Sequence, residues 1–346
     1  VVNPLTGARR VLGWDVGGAF VKVAIVESDS GQRTVRTASR PFEVWRDKEA
    51  LPGVLRALAT ELPEPDSVAV TMTAELSDVF RTKREGVAFV LDAVEAVSRA
   101  PVRIFTTAGE FVDAPTARAH PLDAAASNWV ATAMLVGQFV SDALLVDIGS
   151  TTADVIPVVG GRVAALGRTD PERLLAGELV YTGALRTNVA AIVRRVPLRG
   201  GECPVASELF AASGDVHVLL GSIEPADYTC PTPDSRPPTA EFAAERLARV
   251  VCADGEMLST GEIRAIAAAV AEAQVDEIAE AIGRVARRLP RPAPVVVTGL
   301  GGFLARRAAE RVGLPVQDLA EVLSVDVGTV APAVAVAWLL LDGVAL

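Results

Sequence analysis

A chain of 346 residues, half of them apolar, can bury one large core or two. Its formal net charge of −10, with no basic stripe to offset it, argues against nucleic acid as a partner. No apolar run reaches the roughly 18 residues of a membrane span, and the N-terminus lacks the charged, apolar, small-residue order of a signal peptide, so a cytoplasmic protein with no membrane partner is expected.

In chain order, residues 11–14 read as a strand that runs into Asp15-Val-Gly-Gly. Residues 20–26 form a second strand, a Ser-Asp-Ser-Gly turn follows at 28–31, and residues 34–42 form a third strand. Next come a helix over 47–61, a buried strand over 68–72, a helix over 86–99 and a strand over 102–106. A helix over 122–139 carries Ser127-Asn128-Trp129. The pattern then restarts: residues 143–146 lead into Asp147-Ile-Gly-Ser, then 152–159, a Gly160-Gly161 turn and 163–166. Helices are predicted over 183–195, 239–251 and 260–289. The last has an apolar stripe through Ile263, Ile266, Val270, Ile278, Ile282, Val285 and Leu289. Residues 224–239 are Pro-rich and read as a flexible loop. A strand over 295–298 enters the Gly-rich 299–302, a helix starts at Phe303, and a final helix covers 329–341.

Side by side, DVGGAFVKVAIV from Asp15 and DIGSTTADVIPV from Asp147 are one pattern used twice, an internal repeat of a whole domain. Glycine at such a turn lets backbone N–H groups approach an anion closely. The candidates for that contact are Gly17 and Gly18 in the first copy, and Gly149, Ser150, Thr151 and Thr152 in the second. An aspartate closing the strand is placed to hold a divalent cation, usually through water, which makes Asp15 and Asp147 the candidate metal residues. A pseudo-twofold would bring the two loops to one cleft around a polyphosphate.

Other residue types narrow the chemistry. The three cysteines, Cys203, Cys230 and Cys252, are widely spaced and form neither a disulfide framework nor a metal pair. With only two histidines, a histidine metal centre is not expected. Three lysines stand against thirty arginines; Lys22 and Lys83 lie beside motifs, where a compact ammonium is useful.

The repeated loop resembles the actin, sugar-kinase and Hsp70-like superfamily. The fold class this implies is α/β: duplicated actin-like ATPase (ribonuclease H-like) domains with mixed five-stranded sheets flanked by helices and a cleft between lobes. The first lobe would take 1–141 and 327–346, the second 142–326. Gly299, Gly301 and Gly302 would match a Gly-rich element of the adenosine site.

Five stretches resemble a narrower family: TMTAELSDVFRTKREGV (71–87), ASNW (126–129), VDIGSTTADV (146–155), GRTDPERLLAGELVYTGALRTNV (167–189) and RVVCADGEML (249–258). They are similar to the methanofuran-biosynthesis condensing synthases (the MfnF family), whose bacterial relatives are labelled hydantoinase/oxoprolinase-like or tetrahydromethanopterin-linked one-carbon transfer proteins. That resemblance implies a transferase of one-carbon metabolism, in methylotrophs among others. It joins 5-(aminomethyl)furan-3-ylmethyl diphosphate to the phenol of a glutamyl-tyramine or tyrosine acceptor as an aryl ether, releasing diphosphate. Mg2+ near Asp15 and Asp147 would neutralise the leaving oxygens, with Lys22 or Lys83 adding charge, and ATP would not be required. Glu75, Asp78 and Glu178 are the candidate general bases, and the sequence does not rank them. Asn128 and Trp129 would form a substrate wall, and Arg186 would contact a phosphate or carboxylate. The partners implied are the small-molecule diphosphate and the phenolic acceptor, with a homodimer left open. Two other readings stay open: an ATP-dependent small-molecule kinase of the same superfamily, and a non-enzymatic actin-like nucleotide switch.

Overall fold

The structure is a computed structural model and describes residues 9–343. Its contacts divide the chain into two compact units. One comprises residues up to Ala143, Ile156–Glu172 and the chain from Asp318 on; the other comprises Leu144–Val155 and Arg173–Gln317.

The first unit is built on strands β1 (Arg9–Val16), β2 (Phe20–Asp29), β3 (Gln32–Pro41), β4 (Ser67–Met72), β5 (Val102–Phe105) and β6 (Phe111–Val112), in the spatial order β3-β2-β1-β4-β5-β6. The first three strands form an antiparallel meander; β4 lies parallel to β1 and β5 parallel to β4. Burial follows this order. β1 sits at the centre and is buried from Val11 onward, whereas edge strand β3 is largely exposed. The helix Ala331–Leu341 is buried along its whole length and packs on β1 and β2. It comes so close that a Cβ on Gly13 would lie 2.0 Å from the Ala333 carbonyl oxygen. Glycine is the residue that permits this contact.

The second sheet contains β7 (Ala143–Ile148), β8 (Ala153–Val159), β9 (Arg162–Val163), β10 (Leu179–Val180), β13 (Val295–Thr298) and β14 (Val316–Asp318), in the order β10-β8-β7-β13-β14, with β9 paired to β8. Between them, β11 (Arg195–Leu198) and β12 (Gly201–Pro204) form a separate hairpin. The order hairpin, centre, parallel crossover strands thus occurs twice. Each main sheet has six strands, not the expected five. Phe111 packs edge-to-face on Phe105 and adds a short strand to the first, while the return at Leu179 against Asp154 adds one to the second.

The helix Thr260–Ala286 organises the second unit. Ser259 and Glu262 form a reciprocal capping box at its start. Its predicted stripe is buried from Ile263 to Val285, and Leu289 falls past its end. One part of the stripe joins the core of the second sheet, and another packs against Val216, Leu219 and Leu247.

Three predicted segments differ. The helix over 122–139 is broken: Ala125 bridges to Met72, Ala126 takes φ +49, and the helix Asn128–Phe139 starts afresh. The buried Ser127 hydroxyl drives the break, lying 2.9 Å from Thr71 Oγ1 and donating to the Phe105 carbonyl. The helix predicted over 183–195 is reduced to Val189–Ile192, because residues 184–186 give their N–H groups to the second hairpin and 195–198 join β11. The Pro-rich 224–239 is a loop, but a pinned one. Tyr228 and Thr232 are buried, and Asp234 bonds Arg236 and the fully buried Arg246, which also bonds Asp215.

Among the described residues no helix is long and apolar enough to cross a membrane.

Candidate active site

The two Asp-x-Gly turns close with the same hydrogen bond. In the first, Gly17 N donates to the Phe20 carbonyl at 2.9 Å; in the second, Gly149 N donates to the Thr152 carbonyl at 2.9 Å. Both bonds run from two to five residues after the aspartate, so the repeat read in the sequence holds at the level of single atoms. Two chemically unlike residues follow at the seventh place. Lys22 lies opposite Asp15 in the ladder, with Nζ 3.4 Å from its Oδ2. The second copy has Asp154 instead, which is buried and ion-paired with Arg173. The first aspartate is therefore charge-compensated by its own hairpin, and the second has no lysine at that place.

In the first unit, the hairpin lies against the segment after β4. A Cβ on Gly18 would lie 3.1 Å from Ser77 Oγ, and one on Gly17 would lie 3.5 Å from Thr73 Oγ1. Between these hydroxyls the short turn Ala74–Leu76 buries Glu75 at 1 % exposure. The helix Lys83–Val97 can approach that turn because its Gly86 has no side chain: a Cβ there would sit 2.5 Å from Glu75 Cα. Thr82 caps this helix by accepting from Glu85 N, which places Lys83 in the first turn.

Lys83 joins two carboxylates. Its Nζ is 2.8 Å from Asp170 Oδ2 and 3.4 Å from Glu75 Oε1. The Glu75 contact is one of charge, too loosely aligned for a hydrogen bond, and both buried Glu75 oxygens lack a hydrogen-bond partner. Burial lifts the Glu75 pKa to about 7; Lys83 opposes the rise and Asp170 adds to it. Burial works to lower the Lys83 pKa, but the two carboxylates outweigh it and raise it above the ordinary lysine value. A carboxylate poised near neutrality beside a fixed cation is the arrangement expected of a proton acceptor.

The remaining predicted residues of this unit are less central. Asp78 is exposed and outside this cluster. Trp129 is 3 % exposed, its ring packed inside the unit. Asn128 is half-buried at the start of its helix, where its carbonyl accepts from Thr132 Oγ1.

In the second unit the hairpin 149–152 is enclosed by backbone from two sides. Thr298 pairs with Asp147 in the sheet, Gly301 N donates to the Ile148 carbonyl, and Gly302 opens the helix Gly302–Val312. Gly299, at φ +85, leaves room for the carboxylate: a Cβ there would sit 2.4 Å from Asp147 Oδ1. On the other side, Ala184 N donates to the Gly149 carbonyl, and Leu185 N and Arg186 N to that of Ser150. Arg186 is therefore positioned by its backbone next to Ser150. Glu178 is fully buried with Oε1 2.8 Å from Arg288 Nη2, an ion pair that occupies this carboxylate. Gly299→Ala combines a disfavoured φ with that clash, so it is expected to lower stability by roughly 1–3 kcal/mol, measured by denaturant unfolding.

Asp170 was not singled out by sequence reasoning, since its partner Lys83 is 87 positions away. The available signal was Thr169-Asp170-Pro171-Glu172, a helix-opening acidic pattern inside one of the family-like strings. Among the described residues no group of three or more His, Cys, Asp or Glu side chains could hold a metal ion by itself. An Mg2+ that keeps waters and substrate phosphates as ligands needs only one or two carboxylates, and Asp147, half-buried at the end of β7 beside the hairpin 149–152, is a carboxylate of the kind such an ion takes.

The family model described as hydantoinase/oxoprolinase matches residues 66–342. The (4-{4-[2-(gamma-L-glutamylamino)ethyl]phenoxymethyl}furan-2-yl)methanamine synthase of Methanocaldococcus jannaschii is 37 % identical over 331 residues, covering 95 % of this chain and 97 % of its own. The synthase of the same name from Methanococcus vannielii is 36 % identical over 165 residues, 48 % of this chain and 73 % of its own. Among solved structures, a nucleotide-free acetone carboxylase superposes with a TM-score of 0.53 at 12 % identity, covering 90 % of this chain and 68 % of its own; this likeness is one of fold alone.

Proposed function

This chain belongs to the hydantoinase/oxoprolinase family and to the same family as the furanmethanamine synthase of M. jannaschii, and from that premise we propose that it is a synthase of methanofuran-type cofactor biosynthesis. The observation that carries the reading is the match to that synthase over nearly the whole of both chains. The relative's name describes a phenoxymethyl-furan, an aryl ether. The reaction proposed here forms that ether from 5-(aminomethyl)furan-3-ylmethyl diphosphate and a tyramine- or tyrosine-type phenol.

The phenol oxygen bonds to the furanylmethyl carbon as the C–O bond to diphosphate breaks, and the bonding pair leaves with diphosphate. A furan ring delocalises positive charge on that carbon, so stabilising the departing anion is the main demand. Backbone N–H groups of Ser150, Thr151 and Thr152 are the proposed anion donors, as in other hairpin nests, Gly149 N being held within its own turn. The phenol, with an ordinary pKa of about 10, gives its proton to Glu75. Lys83, held by Asp170, keeps Glu75 partly ionised at neutral pH and offers its ammonium to developing negative charge. Asp147 would hold Mg2+, which when bound supplies further charge neutralisation for the diphosphate. Asp15, already facing Lys22, is assigned the lesser metal role.

The test is direct. The protein, incubated with the furanylmethyl diphosphate, Mg2+ and a tyramine or tyrosine donor, is expected to release diphosphate and form the ether at full rate without ATP. Inorganic pyrophosphate should inhibit competitively against the furan substrate. Stoichiometric conversion of ATP to ADP during turnover would replace this reading with a kinase.

A further inference from the structure

Behind the second hairpin lies a closed polar chain that none of the steps above uses. Gln274, on the helix Thr260–Ala286, is fully buried. Its Nε2 donates to the Gly183 carbonyl at 2.8 Å and to Thr182 Oγ1 at 2.9 Å. A carbonyl only accepts, so the amide can stand one way round. Its Oε1 then faces His217 Nε2 at 2.9 Å, and the imidazole must donate through that nitrogen. His217 is 1 % exposed, packs edge-on against Phe303, and its Nδ1 is buried with no hydrogen-bond partner. Burial lowers its pKa to about 4, so the ring is neutral and the tautomer is fixed at neutral pH.

Gly183 is where this chain meets the hairpin. Ser213 Oγ donates to the same carbonyl at 2.8 Å, and Gly183 N donates to Thr187 Oγ1 at 2.9 Å. Its Cα rests on the loop itself: a Cβ there would lie 2.4 Å from Thr151 N and 2.5 Å from the Ser150 carbonyl carbon. The next three residues bond the carbonyls of Gly149 and Ser150. A shift of Gly183 therefore moves the backbone whose N–H groups are the proposed anion donors.

We propose that Gln274 is a positioning residue for anion binding at 149–152, fixing Gly183 and through it the Ser150–Thr151 backbone against which a diphosphate is held. This rests on the reading of 149–152 as the diphosphate loop. The specific consequence is for substrate affinity: an apolar side chain at 274 leaves Thr182 and His217 Nε2 without their buried partner, and the loop relaxes toward other partners.

The experiment compares wild type with Gln274→Leu, using inorganic pyrophosphate with Mg2+ as the probe in calorimetry, and amide hydrogen exchange as a readout free of ligand. The variant is expected to bind pyrophosphate about tenfold more weakly. It should exchange faster in 147–153 and 182–187 but not in 15–22. In turnover its KM for the furan diphosphate should rise about tenfold, with KM for the phenol unchanged and kcat within about threefold. Ser213→Ala, a smaller change at the same carbonyl, should move these quantities the same way by about threefold and serves if the leucine variant fails to fold. Wild-type affinity and exchange in a folded variant would overturn the positioning role while leaving the diphosphate reading intact. Absence of pyrophosphate binding to the wild type would overturn both.

Discussion

Lys83→Ala is expected to lower kcat/KM by on the order of a hundred- to a thousandfold, the scale seen when a preorganised charge is removed from a reaction centre. Two losses act together. The ammonium no longer meets developing negative charge, and Glu75 is left buried near Asp170 without its cation. Since burial already lifts Glu75 to about 7, losing the opposing charge raises it further and leaves the acceptor protonated at neutral pH. The wild-type rate should therefore climb with pH through about 7 and level off, while the variant's climb should begin at higher pH. Steady-state pH profiles of both proteins check this, and a variant rate within threefold of wild type would exclude Lys83 from the reaction. The same shift works against the fold. The folded protein binds the Glu75 proton more tightly than the unfolded chain, so this group's contribution to stability is greatest below its ordinary value of 4.5 and is lost as pH rises through about 7.

Asp147→Asn is expected to slow turnover roughly a hundredfold or more and to raise the Mg2+ concentration needed for half-maximal rate. The amide keeps the shape that fits beside Gly299 but loses the charge. Asp15→Asn should cost much less, because Lys22 already offsets that carboxylate within its own hairpin. Rates measured across an Mg2+ titration separate the two aspartates. Full activity of the wild type in excess chelator would remove the metal role from both.

The duplicated α/β fold was legible because its signal is local. Two Asp-x-Gly turns, each within a dozen residues, specify two hairpins, and the hydrophobic runs that flank them specify the central strands. The core stripe of Thr260–Ala286 was legible for the same reason, since helical spacing is a property of one segment. What the sequence hid depends on partners distant along the chain. The helix break at Ala126 comes from a Ser127 hydroxyl lodged against Thr71 and Phe105, and nothing in 122–139 announces those neighbours. Residues 184–186 lie in a predicted helix but give their N–H groups to a loop more than thirty positions earlier. The candidate site divides likewise. Glu75 and Lys83 stand in one motif and were both singled out, whereas Asp170, the partner that completes the cluster, belongs to another string. The three unranked bases are separated by burial and charge, which only the folded chain supplies: Asp78 is exposed, Glu178 meets an arginine, and Glu75 has a pKa near neutrality.

The close seat of the helix Ala331–Leu341 on β1 at Gly13 has a consequence for how the protein is made. During vectorial synthesis, β1 and β2 leave the ribosome before the whole of the second unit, and the helix that covers them follows only afterwards. Until then, Gly13 and its apolar neighbours present a bare sheet face to solvent, the kind of surface that holdase chaperones bind and that aggregates when they are scarce. The second unit, uninterrupted from Arg173 to Gln317 apart from its first hairpin, emerges before that helix. The first unit has residues on both sides of the second along the chain, so it is completed only after the second has emerged.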